Sequence, residues 1–298
     1  MCSKTAVLEQ GHVVPSFVFR WLKETAAVPY IRTGKNPNLR VQDGWKRRWF
    51  CRACEEQIGR FEQAFAKELF PLVVTEKPAP YRHGPWLSQF IASVAWRAVI
   101  FQSEYSDAFD FFTPEQKALL PQALEQWRLF VSGEAQTPGV HELHFMPMGM
   151  LADCQGDRTL PPNINRYILR AVQVHVAAHA REAFAFVKMG PALALGFIQP
   201  PPPGIWEGTR VSLGEGQVGG DMAAPVEFLD YIIERAEKMH ASQQGRSARQ
   251  KEKIREAFMS NLDRAAASET FRAVHADVER FGIERVFPSE NEDAGKAK

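Results

Sequence analysis

Apolar residues recur every three or four positions in several long segments, which is the pattern of helices with one buried face. The clearest case is residues 86–102, where Trp86, Phe90 and Val94 follow this spacing. A helix running to about residue 130 is predicted after Thr113, because a proline and then an acid follow in its first turn. Further helices are predicted over residues 17–23, 54–70, 163–175, 226–240, 247–264 and 271–281.

Alternation of apolar and polar residues is confined to shorter segments, which favours a few short strands. Pro147 interrupts the alternation that begins at Leu143, so an edge strand or a loop is expected there. Extended segments are predicted over residues 1–15, 45–50, 143–145, 183–187, 192–198 and 209–213. The two patterns together predict an α+β fold that is mostly helical, with a small antiparallel sheet.

The composition is that of an ordinary globular protein, with 298 residues of which 45% are apolar and 24% charged. The net charge of +1 argues against a uniformly basic coat for nucleic acid, but it leaves room for a local basic patch. The N-terminal residues lack the pattern of a signal peptide, and no apolar run reaches the ~18 residues of a membrane span. We therefore expect a cytoplasmic protein with no membrane partner.

The four cysteines, at positions 2, 51, 54 and 154, do not form the pattern of a disulfide framework. Cys51 and Cys54 instead have the two-residue spacing that lets two thiolates bind one structural Zn²⁺. Cys2 is the predicted third ligand, and the fourth position of the tetrahedron stays open. The alternative is that Cys51 and Cys54 are core cysteines without a metal.

Three motifs follow one another in the N-terminal part of the chain. They are Gly11-His12-Val13-Val14-Pro15, Asn36-Pro37-Asn38 and Cys51-Arg52-Ala53-Cys54-Glu55, the last of which opens an amphipathic helix. This order resembles the HNH nucleases, which have a treble-clef, ββα-metal fold. It is still more similar to an uncharacterised bacterial group with the signature SHxxP, QDG and CxxCE, in which residues 42–44 supply the QDG.

The resemblance to the bacterial group extends into the rest of the chain. Residues 93–97 are similar to its SxxWR helix, and residues 206–209 are similar to its WxGT turn. The resemblance implies an HNH-like zinc treble-clef module over residues 1–70, fused to a larger helical α+β body over 71–288. A polar, disordered tail is expected over residues 289–298.

The resemblance to HNH nucleases also implies roles for particular side chains. His12 would be the general base that activates water for attack on a phosphodiester, oriented by Asn36 or Asn38. Glu55 and Glu62 are seven residues apart and share a helix face, where carboxylates suit a catalytic Mg²⁺ or Mn²⁺. The alternatives are a structural role for His12 and salt bridges from the two acids to nearby cations, namely Arg47, Arg48 and Arg52.

Gly11, Arg97 and the glutamates after the CxxC are unusual for their positions. Gly11 precedes the histidine where many HNH nucleases have Asp or His, and the helix has glutamates where they often have His or Asn. Arg97 lies on an otherwise apolar helix, which implies a buried partner or a pocket. A structural ion pair is the favoured explanation for Arg97.

A basic stretch precedes the helix, with tryptophans between its cations. The predicted nucleic-acid-binding residues are Lys46, Arg47, Arg48 and Arg52. Cations interleaved with Trp45 and Trp49 suit a phosphate backbone with stacked bases. The alternative is a solvated segment whose tryptophans belong to the core.

We therefore expect a metal-dependent HNH-like endonuclease acting on nucleic acid, with DNA favoured over RNA. The resemblance associates such modules with bacterial defence against foreign DNA or with mobile elements. The alternative is a non-catalytic zinc module that binds nucleic acid or a partner protein. Cleavage that depends on His12 would separate the two.

Overall fold

The computed structural model describes residues 1–2, 5–34, 36–105, 107–151 and 159–287. Its strands are short and pair in an antiparallel sense. The strands are β1 (Leu8–His12), β2 (Ile31–Arg32), β3 (Arg40–Val41), β4 (Lys46–Cys51), β5 (Tyr81–His83), β6 (Leu143–Pro147), β7 (Val172–His179), β8 (Glu182–Met189), β9 (Ala192–Gln199) and β10 (Gly216–Val218).

The helices range from single turns to nineteen residues. They are α1 (Ser16–Glu24), α2 (Arg52–Ala64), α3 (Phe70–Val74), α4 (Trp86–Gln102), α5 (Pro114–Ser132), α6 (Ile164–Arg170), α7 (Val226–Gln244), α8 (Ala248–Met259), α9 (Leu262–Ala266), α10 (Glu269–Phe281) and α11 (Ile283–Val286). A π-helical turn, Phe65–Leu69, joins α2 to α3. The predicted α+β class, with small antiparallel sheets, is confirmed. No described helix is both long enough and apolar enough to span a bilayer.

The chain divides into two compact units, each made of three segments. Unit 1 contains Met1–Val18, Gly44–Met148 and Val172–Pro225. Unit 2 contains Phe19–Asp43, Gly149–Ala171 and the described chain from Val226 onward. Each unit therefore contains segments from before and after residue 70, which is the domain boundary expected from the sequence. The tail predicted over residues 289–298 lies outside the described residues.

The core of unit 1 is a four-stranded sheet in the order β6-β9-β8-β7, with α4 packed against it. Every residue of β8 is buried, as expected for a central strand covered by other elements. A Cβ added at Gly196 in β9 would lie 2.5 Å from the Ala95 Cβ of α4 and 3.0 Å from the Trp127 ring of α5. The helices thus approach the sheet at a point that only glycine permits.

Two features fix the position of α5 in unit 1. Thr113 and Gln116 form a capping box, in which each side chain bonds the other residue's backbone N–H. The buried Gln116 Nε2 also donates to His179 O and to Gln199 Oε1, both at 2.8 Å. The helix start predicted from the sequence is therefore confirmed, and the same glutamine joins α5 to β7 and β9.

Some predicted boundaries are wrong. The helix expected over residues 163–175 ends at Arg170, and strand β7 follows, because valines at every second position from Val172 suit a strand paired with β8. The segment 209–213 forms only an isolated bridge between Arg210 and His144. The helix expected over residues 247–264 is divided at Asn261, whose side chain caps α9 by accepting from Arg264 N–H.

Unit 2 is held together by packing among its helices, mainly α6 against α10 and α7. The buried Asp277 on α10 accepts hydrogen bonds from the backbone N–H groups of Asn165 (2.8 Å) and Arg166 (3.0 Å). Its carboxylate thereby satisfies donors in the first turn of α6, which have no partner within the helix. Burial raises the pKa of Asp277 to about 6, against the opposing effect of these hydrogen bonds.

Candidate metal centre

Strands β1 and β4 form an antiparallel pair, although α1, β2 and β3 lie between them in the chain, and helix α2 follows β4. Leu8 pairs with Cys51 and His12 pairs with Lys46, with an irregularity in the register between Glu9 and Gly11. Helix α2 begins directly after Cys51, which ends β4. The CxxC thus lies where the second strand passes into the helix, and His12 lies at the end of the first strand.

The predicted cysteine ligands come together. The Sγ atoms of Cys2 and Cys54 each lie 3.6 Å from Cys51 Sγ, and all three lie within 4.8 Å of one another. Thiolates on one tetrahedral Zn²⁺ would be about 3.8 Å apart at a Zn–S distance of about 2.3 Å. Arg128 holds the N-terminal segment by donating to Met1 O at 2.7 Å. The three cysteines could therefore hold a metal ion, and zinc is compatible with them.

No fourth ligand accompanies the three thiols within the described chain. Cys2, Cys51 and Cys54 are the only described group of three His, Cys, Asp or Glu ligand atoms that could hold a metal ion. Cys154 lies outside the described residues. Burial, followed by hydrogen bonds from Cys2 and Cys51, raises the pKa of Cys54 to about 11. A bound cation would reverse this shift, because thiolates are the metal-binding form.

Glu55 turns its carboxylate against the backbone of Gly11. A Cβ at Gly11 would lie 2.1 Å from Glu55 Oε1, so a larger residue at position 11 would displace this carboxylate. Oε1 is buried and accepts no hydrogen bond. Burial raises the pKa of Glu55 above its ordinary value, the charge of Arg97 opposes that rise, and the nearby Glu62 adds to it. Glu55 Oε1 is therefore a buried acceptor without a hydrogen-bond partner, close enough to His12 for the two groups to interact electrostatically. A buried carboxylate oxygen of this kind is suited to binding a cation.

Glu62 pairs with Arg97, which is a different partner from the arginines suggested by the sequence. Arg97 Nη2 lies 2.8 Å from Glu62 Oε1, in poor alignment for a hydrogen bond, and only 3% of the Arg97 side chain is exposed. Arg97 Nη1 donates to the His12 carbonyl at 2.8 Å. The predicted ion pair of Arg97 is confirmed, and it places α4 behind both α2 and the end of β1.

The predicted nucleic-acid-binding arginines all have partners. Arg47 makes an ion pair with Glu104 at 2.6 Å, and Arg52 makes one with Glu56 at 3.1 Å. Arg48 Nη1 donates to Leu8 O at 3.2 Å, and Lys46 also has an interaction. Arg48 and Arg52 stay exposed, so these partners leave both guanidinium groups open to solvent.

Asn36 and Asn38 make their hydrogen bonds within unit 2. Asn36 Oδ1 accepts from the Asn38 N–H at 3.1 Å, which closes a turn. Asn38 Oδ1 accepts from the Ser247 N–H at 2.8 Å, and its Nδ2 lies 3.5 Å from Gly245 O. His12, Glu55 and Glu62 belong to unit 1. The described contacts link Glu62 to the His12 backbone through Arg97, and they place Glu55 against Gly11, the neighbour of His12. They do not include either asparagine.

A buried polar network around His144 was not predicted from the sequence. Its Nδ1 lies 2.7 Å from Thr209 Oγ1, and its Nε2 lies 3.1 Å from Glu142 Oε2. Thr209 is fully buried and donates to Trp206 O at 2.9 Å. Burial lowers the pKa of His144 to about 4, against the effect of Glu142. The network joins β6 to the 206–209 turn instead of facing solvent, so we assign it a structural role.

Comparison with known proteins gives no relative for this chain. No protein-family model matches it, and no curated protein or solved structure matches it either. The chemistry of the described side chains is therefore the basis for proposing a function. That chemistry consists of a three-thiol cluster, an unsatisfied buried carboxylate and a histidine at the end of a strand.

Proposed function

We propose that β1, β4 and α2 form the active site of an HNH-like, metal-dependent endonuclease held together by a structural zinc ion. The observation that supports this proposal is the buried Glu55 Oε1, which has no hydrogen-bond partner and lies in the electrostatic range of His12. Glu55 fills the space that a side chain at Gly11 would occupy. In this proposal the carboxylate comes from helix α2, whereas many HNH nucleases have a ligand on the strand, next to the histidine.

In this proposal Cys2, Cys51 and Cys54 hold zinc, which keeps the strand pair β1–β4 and helix α2 in place. Glu55 contributes a ligand for Mg²⁺ or Mn²⁺, an ion that commonly binds through one or two carboxylates, water and substrate phosphates. When bound, the divalent cation stabilises charge on the phosphate and on the leaving oxygen. Glu62 is not proposed as a ligand, because its carboxylate is paired with Arg97.

His12 acts as the general base on a DNA phosphodiester. It accepts a proton from water as the water oxygen bonds to phosphorus and the bond to the leaving sugar oxygen breaks, and solvent protonates that oxygen. Arg97 positions His12 through its backbone carbonyl. Arg48 on β4 and Arg52 at the start of α2 are exposed and can contact the phosphate backbone.

Plasmid cleavage with Mg²⁺ or Mn²⁺ tests the proposal. We expect His12→Ala and Glu55→Gln to lower the rate by about 100-fold or more, since a general base alone contributes that much. Glu56→Gln is the matched control, because Glu56 is the neighbouring acid on α2, lies on the surface and pairs with the exposed Arg52. Cleavage by the native protein that survives in His12→Ala would overturn the catalytic role of His12.

A second candidate is a non-catalytic zinc module that binds nucleic acid or a partner protein. It is favoured by the pairing of Glu62 with Arg97, which removes one of the two carboxylates expected at the catalytic metal. Binding of labelled DNA without cleavage, together with about one zinc ion per chain by metal analysis, would support this candidate. Absence of zinc from protein purified without chelators would argue against both proposals.

A further inference from the structure

Hairpin β2–β3 of unit 2 is fastened to the turn between α7 and α8. Three hydrogen bonds join them: Ser242 Oγ–H to Gly34 O (2.7 Å), Ser247 N–H to Asn38 Oδ1 (2.8 Å) and Asn38 Nδ2–H to Gly245 O (3.5 Å). Arg32 lies on β2, and Arg246 lies in the turn. The contacts between the two segments therefore hold these arginines in neighbouring positions.

Arg32 and Arg246 contain buried N–H groups without partners. Nε and Nη2 of Arg32 and Nε of Arg246 are inaccessible to solvent, and none donates a hydrogen bond. Both residues are only half-buried as a whole. Unsatisfied buried donors are rare in folded proteins, and such a group often indicates a missing ion or water.

Arg166 brings a third positive charge to the same place. Burial, then repulsion by Arg166 and Arg32, lowers the pKa of Arg246 to about 10. Burial and Arg166 likewise lower the pKa of His240, while burial and Arg40 lower that of Arg32. Arg166 and Arg32 therefore each lie within electrostatic range of Arg246, and all three residues belong to unit 2.

The carboxylate that attracts Arg166 already accepts other hydrogen bonds. Asp277 attracts Arg166, but its carboxylate accepts the two backbone N–H groups at the start of α6. Within the described chain, no side chain makes a hydrogen bond or an ion pair with the guanidinium group of Arg32 or Arg246. The site therefore has donors and positive charge in excess of its acceptors.

We propose that Arg32, Arg166 and Arg246, the arginine cluster, bind a phosphate group. A guanidinium group matches phosphate because its fork of N–H donors can bond two oxygens at once. Phosphate also carries enough charge and enough acceptors to serve several arginines, which a single carboxylate does not. The phosphate can be the terminal group of a small molecule or an internal phosphodiester of nucleic acid. This site lies in unit 2 and does not depend on the proposed role of His12.

Calorimetric titration of the full-length protein with inorganic phosphate and with pyrophosphate tests the proposal, with sodium chloride at equal ionic strength as the reference. We expect Arg32→Gln and Arg246→Gln to weaken binding by about tenfold or more, since each removes a charge-assisted hydrogen bond. Arg249→Gln is the matched control, because it removes the same charge from an exposed position on α8. The control should bind phosphate as the native protein does.

An oligonucleotide without terminal phosphates shows whether the bound phosphate is an internal phosphodiester or the terminal group of a small molecule. Binding of the oligonucleotide that is lost in Arg246→Gln identifies phosphodiesters, whereas binding of phosphate and pyrophosphate alone identifies a terminal phosphate. Equal binding by the native protein and both variants, or no binding beyond the chloride reference, would overturn the proposal.

The melting temperature of Arg246→Gln without phosphate should equal or exceed that of the native protein, because the change relieves repulsion. A large decrease would show that Arg246 has a structural partner and would also overturn the proposal.

Discussion

Replacement of Arg97 by methionine would break the buried ion pair behind the candidate site. The change removes the group that lies 2.8 Å from Glu62 Oε1 and the donor to the His12 carbonyl, also at 2.8 Å. Removing one member of a buried pair costs about 3–5 kcal/mol, because the other charge loses its partner. Glu62 keeps 22% of its side chain exposed, so we expect a loss near the lower limit, about 3 kcal/mol.

Urea unfolding in buffer with zinc, followed by tryptophan fluorescence, measures this loss. Arg47→Met is the matched control, because its ion pair with Glu104 lies nearer the surface, with 35% and 34% of the two side chains exposed. Such a pair is worth about 0–1 kcal/mol. The double variant Arg97→Met with Glu62→Leu should recover part of the loss, since the Glu62 carboxylate is no longer left without its partner. The reasoning is refuted if Arg97→Met costs no more than the control.

Other changes test separate parts of unit 1. Cys51→Ser should abolish stoichiometric zinc and lower stability, measured by metal analysis and thermal unfolding with and without chelator. Gly196→Ala should cost about 1–3 kcal/mol, because its Cβ would overlap Ala95, whereas Gly59→Ala meets no atom within 4 Å and should be neutral or stabilising. Between pH 4 and 6.5 the unfolded chain protonates His144 and the folded chain does not, so the contribution of His144 to stability should rise with pH by about 3 kcal/mol. The raised pKa of Asp277 makes its own contribution fall over much of the same range, so the two are separated by comparing variants. His144→Gln should remove that part of the pH dependence in urea titrations, and an unchanged profile would contradict the assignment.

Local patterns in the sequence account for much of the fold. The apolar spacing in residues 86–102 predicts α4 to the residue, and the proline and acid after Thr113 predict the start of α5. The two-residue spacing of Cys51 and Cys54 is a local pattern of the same kind, and their thiols do lie together. Cys2 joins them as predicted, although it lies 49 residues from Cys51 along the chain. These predictions succeed because period, capping and ligand spacing act over a few residues.

Features that depend on distant partners could not be predicted in this way. Strand β7 continues directly from α6, and what makes it a strand is its pairing with β8 along its whole length. The sequence showed that Arg97 needs a partner, but nothing local identifies Glu62, which lies on another helix. The close approach of Glu55 to Gly11 likewise depends on how β1 packs against α2.

The alternation of the chain between its two units constrains the order in which the protein can fold during synthesis. The chain passes between the units five times, since each is made of three segments. Strands β7, β8 and β9, which cover α4, leave the ribosome after the segment Gly149–Ala171 of unit 2. A nascent chain that stops before Val172 would therefore expose the apolar face of α4. Strands β1 and β4 and helix α2 are synthesised early, but α4, which packs against α2, is covered only when the four-stranded sheet has been made.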